Sequence, residues 1–331
     1  MKNKVICALL SCLMLSACGT NDNSEQQTGK ASEDTYKIGM IQYMEHSSLE
    51  SASKGFKDEL ANLGYVDNDT VVLEYANASG DSGNAEAIIT KFINDGVDLI
   101  FANATPAAQS AANQTSDIPI IITSVTDPQA SGLVESNDNP GVNVSGTSDL
   151  ADMEVQVGLV HDLLPEAKTI GIMYCSSEQN SLYQAQLAKQ VIEQLGLVYK
   201  EFTVSDSTYV QSTAQSAIGH VDVMFVPTDN LMAESITTII SVLDEANIPV
   251  VGGFSDVAYK GGLAAYGVNY YALGQQSARM AVDVLNGKDI TTLPIQYLDD
   301  QSYELVINKD NADRLGVEID SKLLDSAKII E

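Results

Sequence analysis

The chain has 331 residues and a formal net charge of −28, with 17 basic residues against 45 acidic ones. Such an acidic excess excludes nucleic acid as a partner, because binding to phosphates requires a basic surface. A body of roughly 300 residues can bury enough apolar surface to fold without covalent cross-links.

The N-terminus has the pattern of a signal peptide. Two lysines precede an apolar run from Val5 to Leu15, which is shorter than the about 20 apolar residues that a membrane-spanning helix needs. The run ends in LSAC, which resembles the bacterial lipoprotein box. We therefore expect residues 1–17 to be cleaved and Cys18 to be lipidated, which would anchor the protein to the outer face of the bacterial cell membrane, at the cell surface or in the periplasm.

Residues 18–35 form the predicted tether. After Cys18 the sequence GTNDNSEQQTGKASEDT contains no large apolar side chain, so it cannot build a core and is expected to be a flexible leash. Two other cysteines leave with the signal peptide, which makes Cys175 the single cysteine of the folded body and excludes an intramolecular disulfide.

From Tyr36 onwards, short β-branched runs alternate with helical patterns, which is typical of repeated βα units around a mostly parallel sheet. Leu49, Phe56 and Leu60 fall at helical spacing and predict a first helix that Gly64 ends. The predicted strands of this first series are residues 37–42, 71–75, 98–103, 118–124 and 141–146.

A second series of the same kind begins with a predicted helix at residues 152–164, which Pro165 ends. Its predicted strands are residues 169–174, 198–204, 221–226 and 248–252. One more strand and helix are expected within residues 261–288, and a last strand within 293–300. The repetition predicts an α/β protein of two doubly wound parallel-sheet lobes.

Open parallel sheets bind ligands where the carboxyl ends of strands meet helix N-termini. Thr105 follows a strand as a predicted N-cap, with Pro106 at the first helical position, and this end is suited to a carboxylate. Glu45 and His46 follow the first strand and are expected at the cleft mouth. Polar residues also follow two strands of the second series: Ser176, Ser177, Asn180, Thr228, Asp229 and Asn230.

An amino-acid ligand requires an acidic acceptor for its ammonium, because a buried charge must be paired. We expect Asp229 to fill that role. Thr105, Ser176, Ser177 and Asn180 are the candidates for the carboxylate or for hydrogen bonds across a closed cleft. The alternative stays open that these residues only cap helices, as serine, threonine and aspartate do in many α/β proteins.

Several blocks of sequence, in order from Tyr36 to about Glu331, resemble ABC-transporter substrate-binding proteins of the tryptophan and tyrosine uptake type. They are Gln42 with Glu45 and His46, then TPAAQS, SVTDP, SSEQNS, PTDN and GGLAAYGVNYYALG. The resemblance implies the type I periplasmic-binding-protein fold, in which two lobes are joined by three crossovers. It further implies a first lobe of residues 36–147 plus 258–290 and a second of 148–257 plus 291–331.

The resemblance also implies a function: capture of tyrosine, phenylalanine or tryptophan and delivery to an ABC permease and its ATPase, without catalysis. Members of the family commonly have proline after the Glu-His pair, where this chain has Ser47. The further cleft candidates are Gln42, Asn103, Ser124, Asp127, Phe254, Asp256, Tyr266 and Asn269.

The sequence gives less support to other functions. The sequence contains no G-x-S-x-G elbow, no H-E-x-x-H metal motif, no cysteine-histidine cluster and no G-x-G-x-x-G loop, so no catalytic site, metal or cofactor is expected. A surface lipoprotein of the same fold could instead act in sensing or adhesion, or bind a sugar or nucleoside. The lack of tryptophan disfavours a sugar, and 14 tyrosines and 6 phenylalanines can supply an aromatic wall.

Overall fold

The computed structural model describes residues 35–331, and Thr35–Glu331 form one compact unit. The predicted signal peptide, the lipidated Cys18 and nearly all of the leash lie outside the described residues. None of the helices in the described part of the chain is both long and apolar enough to cross a membrane.

The first lobe is built on a five-stranded parallel sheet. The strands follow the order β2-β1-β3-β4-β5, and three helices connect β1 to β4. The third and fourth strands, LIFAN and IIITSV, are buried at every position, as expected for a parallel sheet covered on both faces. The elements are β1 (Tyr36–Gln42), α1 (Ser47–Asn62), β2 (Val71–Asn77), α2 (Ser82–Asn94), β3 (Leu99–Asn103), α3 (Thr105–Ala112), β4 (Ile120–Val125) and β5 (Val144–Ser148).

The second lobe is built on a seven-stranded sheet in the order β12-β11-β10-β9-β8-β6-β7, which is parallel except for the pair β10–β11. Its strands are β6 (Thr169–Cys175), β7 (Val198–Val204), β8 (Val223–Val226), β9 (Val250–Gly252), β10 (Ala264–Val268), β11 (Tyr303–Asn308) and β12 (Lys328–Ile330). Its helices are α4 (Met153–Leu163), α5 (Gln179–Gln194), α6 (Val210–Ala217), α7 (Asn230–Asp244), α8 (Asp256–Tyr259), α10 (Lys309–Leu315) and α11 (Ser321–Ser326).

The prediction of two α/β lobes with mostly parallel sheets is confirmed, but one late strand was misplaced. Residues 293–300 form an isolated bridge at Gln296 rather than a strand, because Ile295 and Gln296 donate to loop and edge carbonyls of the first lobe at Asn137 and Gly146. The last strands are instead β11, which pairs antiparallel with β10, and the short β12.

The helix α9 (Tyr270–Leu285) returns the chain to the first lobe, where it packs against α1. Two glycines allow this close approach. A Cβ at Gly274 would lie 1.9 Å from the carbonyl oxygen of Ala52, and one at Gly55 would lie 2.1 Å from that of Tyr271. Larger residues at either position would force the two helices apart.

Strand pairing corrects the expected lobe boundaries. Residues 264–268 were expected in the first lobe, but they form β10 in the second sheet. Residues 291–296 were expected in the second lobe, but Leu293 packs in the first-lobe core and its carbonyl accepts from Ser145. The return segment is therefore about residues 270–296 rather than 258–290.

The chain crosses between the lobes three times, near Ser148, near Asn269 and after Gln296. Backbone hydrogen bonds connect these crossings, since Ser148 N–H donates to Gln296 and Asn269 N–H donates to Ser302. This arrangement confirms the three expected crossovers and places a narrow hinge beside the cleft.

The α1–α9 contact gives a first prediction. Gly274→Ala forces a methyl group into the backbone of α1 and is expected to lower the free energy of unfolding by about 1–3 kcal/mol. The matched control is Gly158→Ala in α4, where a Cβ meets nothing within 4 Å; it is expected to stabilise by roughly 0.5–1 kcal/mol. Denaturant titration of both variants checks this, and equal stability of the two would contradict it.

Candidate ligand-binding site

A small cavity of about 10 Å³ lies between the lobes, about the space of one water molecule, so a larger ligand requires its walls to move apart. The first turns of α1 and α7 border it, so the positive ends of two helices meet there. Its lining residues are His46, Ser48, Leu49, Ser124, Thr126, Asp149, Asn180, Thr228, Asp229, Asn230, Ala233, Phe254 and Tyr270.

Hydrogen bonds across the cleft hold the lobes together around this cavity. Gln184 Nε2 in α5 donates to Thr126 Oγ1 at the end of β4 over 3.0 Å. The hydroxyl of Ser47 donates to Asp256. His46 Nε2 lies 3.4 Å from Asn230 Oδ1. Each pair joins one lobe to the other, so the cleft is closed.

Asp149 carries the free carboxylate oxygen of the cavity. The residue follows the first crossover and is 4% exposed. Its Oδ2 accepts a 2.9 Å hydrogen bond from the hydroxyl of Tyr270, while its Oδ1 is buried without a partner. Burial raises the pKa of Asp149 to about 6, and the polar groups of Tyr270, Thr126 and its own backbone oppose that rise.

Four buried polar atoms without partners line this one cavity: His46 Nδ1, Ser124 Oγ, Asp149 Oδ1 and Asn180 Oδ1. Buried polar atoms in folded proteins nearly always have a partner, because an unpaired one costs about 1–3 kcal/mol. Both lobes contribute to the set. The cavity therefore suits a polar ligand that touches both sides.

Asp229, the expected ammonium partner, lines the cavity but its oxygens are already engaged. Oδ1 accepts from the backbone N–H of Met232 over 2.9 Å, which caps α7, and Oδ2 accepts from Cys175 N–H over 2.6 Å. Burial raises its pKa. Two backbone donors satisfy this carboxyl, so the geometry favours Asp149 over Asp229 as the acceptor for a ligand cation.

Glu178 is a buried carboxyl behind the cavity wall that the sequence did not single out. It is 4% exposed, precedes α5, and accepts from the side-chain amide of Asn230. Burial, and repulsion from Asp229, raise the pKa of Glu178 to about 8. Across the cleft, burial lowers the pKa of His46 to about 4, so its imidazole is neutral.

Among the described residues, five non-glycine residues have a positive φ, and two of them lie where β3 and β4 end. Ala104 has φ 90° and ψ 154°, and Ser124 has φ 54°. Non-glycine residues in such regions cost about 1–3 kcal/mol each and are typical of functional sites. Ala104 also corrects a prediction: it is the N-cap of α3, so Thr105 is the first helical residue instead of the cap.

The structure brings part of the expected site together. The predicted residues that line the cavity are His46, Ser124, Asn180, Thr228, Asp229, Asn230 and Phe254. Asp256 and Asn269 border an adjoining outer groove, which shares Ser48 and Tyr270 with the cavity. That these residues contact the ligand stays a prediction, and their positions at the cavity and groove agree with it.

The other predicted residues lie outside the cavity lining. Gln42 and Asn103 are buried beneath α1, where Asn103 Nδ2 donates to Leu49 O over 2.8 Å and Gln42 accepts from Ser53. Glu45 is exposed, and Thr105 and Pro106 lie at the start of α3. Asp127 accepts hydrogen bonds from Asn137 and Ala130, and Tyr266 stacks on Tyr303. Ser176 and Ser177 donate to the carbonyls of Val204 in β7 and of Ser205.

Six lining residues were missed: Ser48, Leu49, Thr126, Asp149, Ala233 and Tyr270. Thr126 lies within the SVTDP block, so that block carried a signal. Asp149 and Tyr270 lie at crossovers, and only the meeting of two distant crossovers places them together. Among the described residues, no group of three histidine, cysteine or acidic side chains could hold a metal ion.

Comparison with known proteins agrees with this architecture. Residues 37–330 match the family model "ABC transporter substrate binding protein". A curated relative, the tyrosine-binding protein of Clostridioides difficile strain R20291, is 38% identical over 95% of this chain and 91% of its own length.

Two solved structures add information on the cleft. An ABC domain in complex with L-Trp from Streptococcus pneumonia has 34% identity and a TM-score of 0.87, over 90% of this chain and all of that one. A ligand-free, open substrate-binding protein with adhesive properties from Clostridium difficile has 38% identity but a TM-score of 0.69, over 89% of this chain and 99% of that one.

The second structure is more similar in sequence yet less similar in shape. That structure is described as open, and a rotation of one lobe against the other lowers such a score without any change of fold. The closed cleft of this chain agrees with that explanation. The family model matches nearly all of the described residues, and the fold is that of a type I periplasmic binding protein. The chain therefore belongs to the family of ABC transporter substrate-binding proteins.

Proposed function

We propose that this protein captures an aromatic amino acid between its lobes and delivers it to the permease of an ABC importer, and that it catalyses no reaction. The observation that carries the proposal is the unpartnered Oδ1 of Asp149, in a closed cavity that both lobes line. A buried carboxylate oxygen without a partner suits a cationic group such as an ammonium.

The ammonium of the ligand is assigned to Asp149. A charge-assisted hydrogen bond to Oδ1 would complete the coordination of a carboxylate that already accepts from Tyr270. A hydrogen bond between charged groups contributes more to the binding free energy than one between neutral groups. It also offsets the cost of burying the carboxylate, which the raised pKa of about 6 reflects.

The carboxylate of the ligand is assigned to the start of α1. No side chain caps this helix, and Ser48 and Leu49 in its first turn line the cavity, so their backbone N–H groups are available to an anion. Ser48 and Tyr270 border both the cavity and the outer groove. This start of α1 is thus close to the Tyr270–Asp149 pair, as an amino acid with adjacent charges requires.

The aromatic ring is assigned to the wall that Phe254 and Leu49 form, both 1% exposed. A favourable ring contact adds about 0.5–1.5 kcal/mol beyond the area that it buries. The relatives support this ligand class, since one is named for tyrosine and another was solved with L-Trp.

Binding would shift an open–closed equilibrium towards the closed form. The contacts between Gln184 and Thr126 and between Ser47 and Asp256 join opposite lobes and exist only when the cleft is shut. A ligand that touches both walls adds to these contacts, and the closed form is then favoured in proportion to that differential affinity.

Export and anchoring complete the proposal. Cleavage of residues 1–17 and lipidation of Cys18 would leave the binding body on the outer face of the cell membrane, tethered by the leash of residues 18–35. The partners would be the membrane permease and its ATPase. A second candidate function is adhesion, which one observation favours: the 38%-identical relative from Clostridium difficile has adhesive properties.

A ligand screen tests the substrate class. Residues 35–331, unfolded and refolded to remove carried-over ligand, are titrated with the twenty amino acids, several sugars and nucleosides in a thermal-shift assay. A ligand at 100 times its Kd adds about 2.7 kcal/mol of stability. We expect stabilisation by aromatic amino acids. A shift with sugars or nucleosides alone would overturn the substrate class but keep the fold.

Two acidic residues provide a matched test of the ammonium site. Asp149→Asn removes the charge and is expected to weaken tyrosine binding at least 100-fold, about 2.7 kcal/mol. Asp229→Ala leaves the N–H groups of Met232 and Cys175 without acceptors. It is expected to cost about 1–3 kcal/mol of folding stability per buried donor. Calorimetric titration and denaturant unfolding separate the two effects, and the reverse pattern would restore Asp229 as the ammonium partner.

The pH dependence of stability follows from the same carboxyl. Burial raises the folded-state pKa of Asp149 to about 6 from 3.8, so its ionisation disfavours the folded state. The resulting loss of folding stability is absent below about pH 4 and complete above about pH 6. Asp149→Asn removes it, so the variant without ligand should be at least as stable as the wild type at pH 7. A clearly less stable variant would show that the carboxylate has a structural role.

A further inference from the structure

A chain of three polar side chains crosses the cleft. Glu178 precedes α5, Asn230 begins α7, and His46 precedes α1 in the other lobe. Glu178 Oε2 accepts from Asn230 Nδ2, and Asn230 Oδ1 faces His46 Nε2 at 3.4 Å. The chain begins in a buried carboxyl and ends at the cavity wall.

The chemistry of these groups determines where the proton on His46 resides. The contact with Nδ2 makes Glu178 Oε2 an acceptor, whether the carboxyl is ionised or carries a proton on its other oxygen. The amide of Asn230 then turns its carbonyl oxygen towards His46, and a carbonyl oxygen can only accept. With the Asn230 amide in this orientation, Nε2 of His46 carries the hydrogen. Because the imidazole is neutral, Nδ1 has none and is an acceptor.

Nδ1 of His46 is buried without a partner, and His46 lines the cavity. It is a neutral acceptor, and it belongs to a different group of side chains from Asp149. The polar neighbours of Asp149 come from α9 and the segment after β4, whereas those of His46 come from α7 and α8. The cavity thus offers a charged acceptor for an ammonium, Asp149 Oδ1, and a neutral acceptor for an uncharged donor, His46 Nδ1.

We propose that Glu178 positions Asn230 and thereby sets the tautomer of His46, so that Nδ1 accepts a hydrogen bond from a donor on the ligand's ring: the phenol O–H of tyrosine or the indole N–H of tryptophan. This inference rests on the proposed function and narrows its ligand class. His46 is the specificity-determining residue, and Glu178 and Asn230 are positioning residues.

Phenylalanine fills the same space but brings no donor. It would leave Nδ1 desolvated and unpaired, and a site built to hydrogen-bond a ligand discriminates strongly against an analogue that lacks the group. Phenylalanine is therefore expected to bind at least tenfold more weakly than tyrosine.

The tautomer can be measured directly in the closed form, with phenylalanine as the ligand, because phenylalanine closes the lobes but brings no donor to Nδ1. The chain has three histidines, so long-range ¹H–¹⁵N spectra of histidine-labelled residues 35–331 are simple, and the His46→Leu variant assigns the signals. We expect the Nε2–H tautomer at His46. Glu178→Gln keeps an acceptor for Asn230 and should preserve it, whereas Asn230→Leu removes the partner of Nε2 and should give a mixture of tautomers. An Nδ1–H tautomer in the wild type would overturn the relay.

Calorimetric titration tests the ligand half of the inference. The ratio of the Kd values for phenylalanine and tyrosine should exceed ten in the wild type, should fall to about three or less in His46→Leu, and should be kept in Glu178→Gln. The des-amino analogue of tyrosine, 3-(4-hydroxyphenyl)propionate, retains the ring donor but lacks the ammonium. Its affinity should fall in His46→Leu but change little in Asp149→Asn, and the opposite result would place the ring donor at Asp149 instead of His46.

Failure of the ring assignment can be distinguished from failure of the proposed function. If no aromatic amino acid binds, the proposed function is wrong and the ring assignment falls with it. If tyrosine and phenylalanine both bind with equal affinity, the proposed function holds and the role of His46 is wrong.

Discussion

A buried carboxylate that lacks one partner is the constraint on which the site depends. Asp149 sits beside the hinge, with one oxygen satisfied by Tyr270 and the other facing the cavity. Removing a charge from water costs several kcal/mol unless a partner replaces the lost solvation. Tyr270 supplies part of that replacement, and the unpartnered Oδ1 is the position at which a ligand cation would supply the rest. Asp229, although equally buried, is satisfied by two backbone donors and serves the start of α7.

The scaffold makes this arrangement possible by bringing distant segments together at three crossings. Asp149 comes from the first crossing and Tyr270 from the second, and α9 holds Tyr270 in place because two glycines let it lie against α1. Ser124, a strained residue at the end of β4, lines the same cavity. The cavity exists as a unit only when the lobes close, because residues of both lobes line it.

The repeated βα pattern made the fold predictable from sequence, because continuous apolar runs such as LIFAN are typical of a parallel sheet that is buried on both faces. Residues that directly follow strands were also predictable, and His46, Asn180 and Asn230 do line the cavity. Periodicity could not show which strand joins which lobe, so β10 was assigned to the wrong one. Nor could it show that Asp149 meets Tyr270, since 121 positions separate them along the chain. Asp149 differs from Asp229 in whether both carboxylate oxygens already accept hydrogen bonds. That difference depends on three-dimensional packing, and composition does not encode it.

A crystal structure of residues 35–331 with L-tyrosine would locate the ligand's ammonium group. We expect closed lobes, with the ammonium nitrogen at about 2.7–2.9 Å from Asp149 Oδ1, the distance of a charge-assisted hydrogen bond. A ligand whose ammonium instead contacts Asp229, or that binds outside the cavity between the lobes, would contradict it.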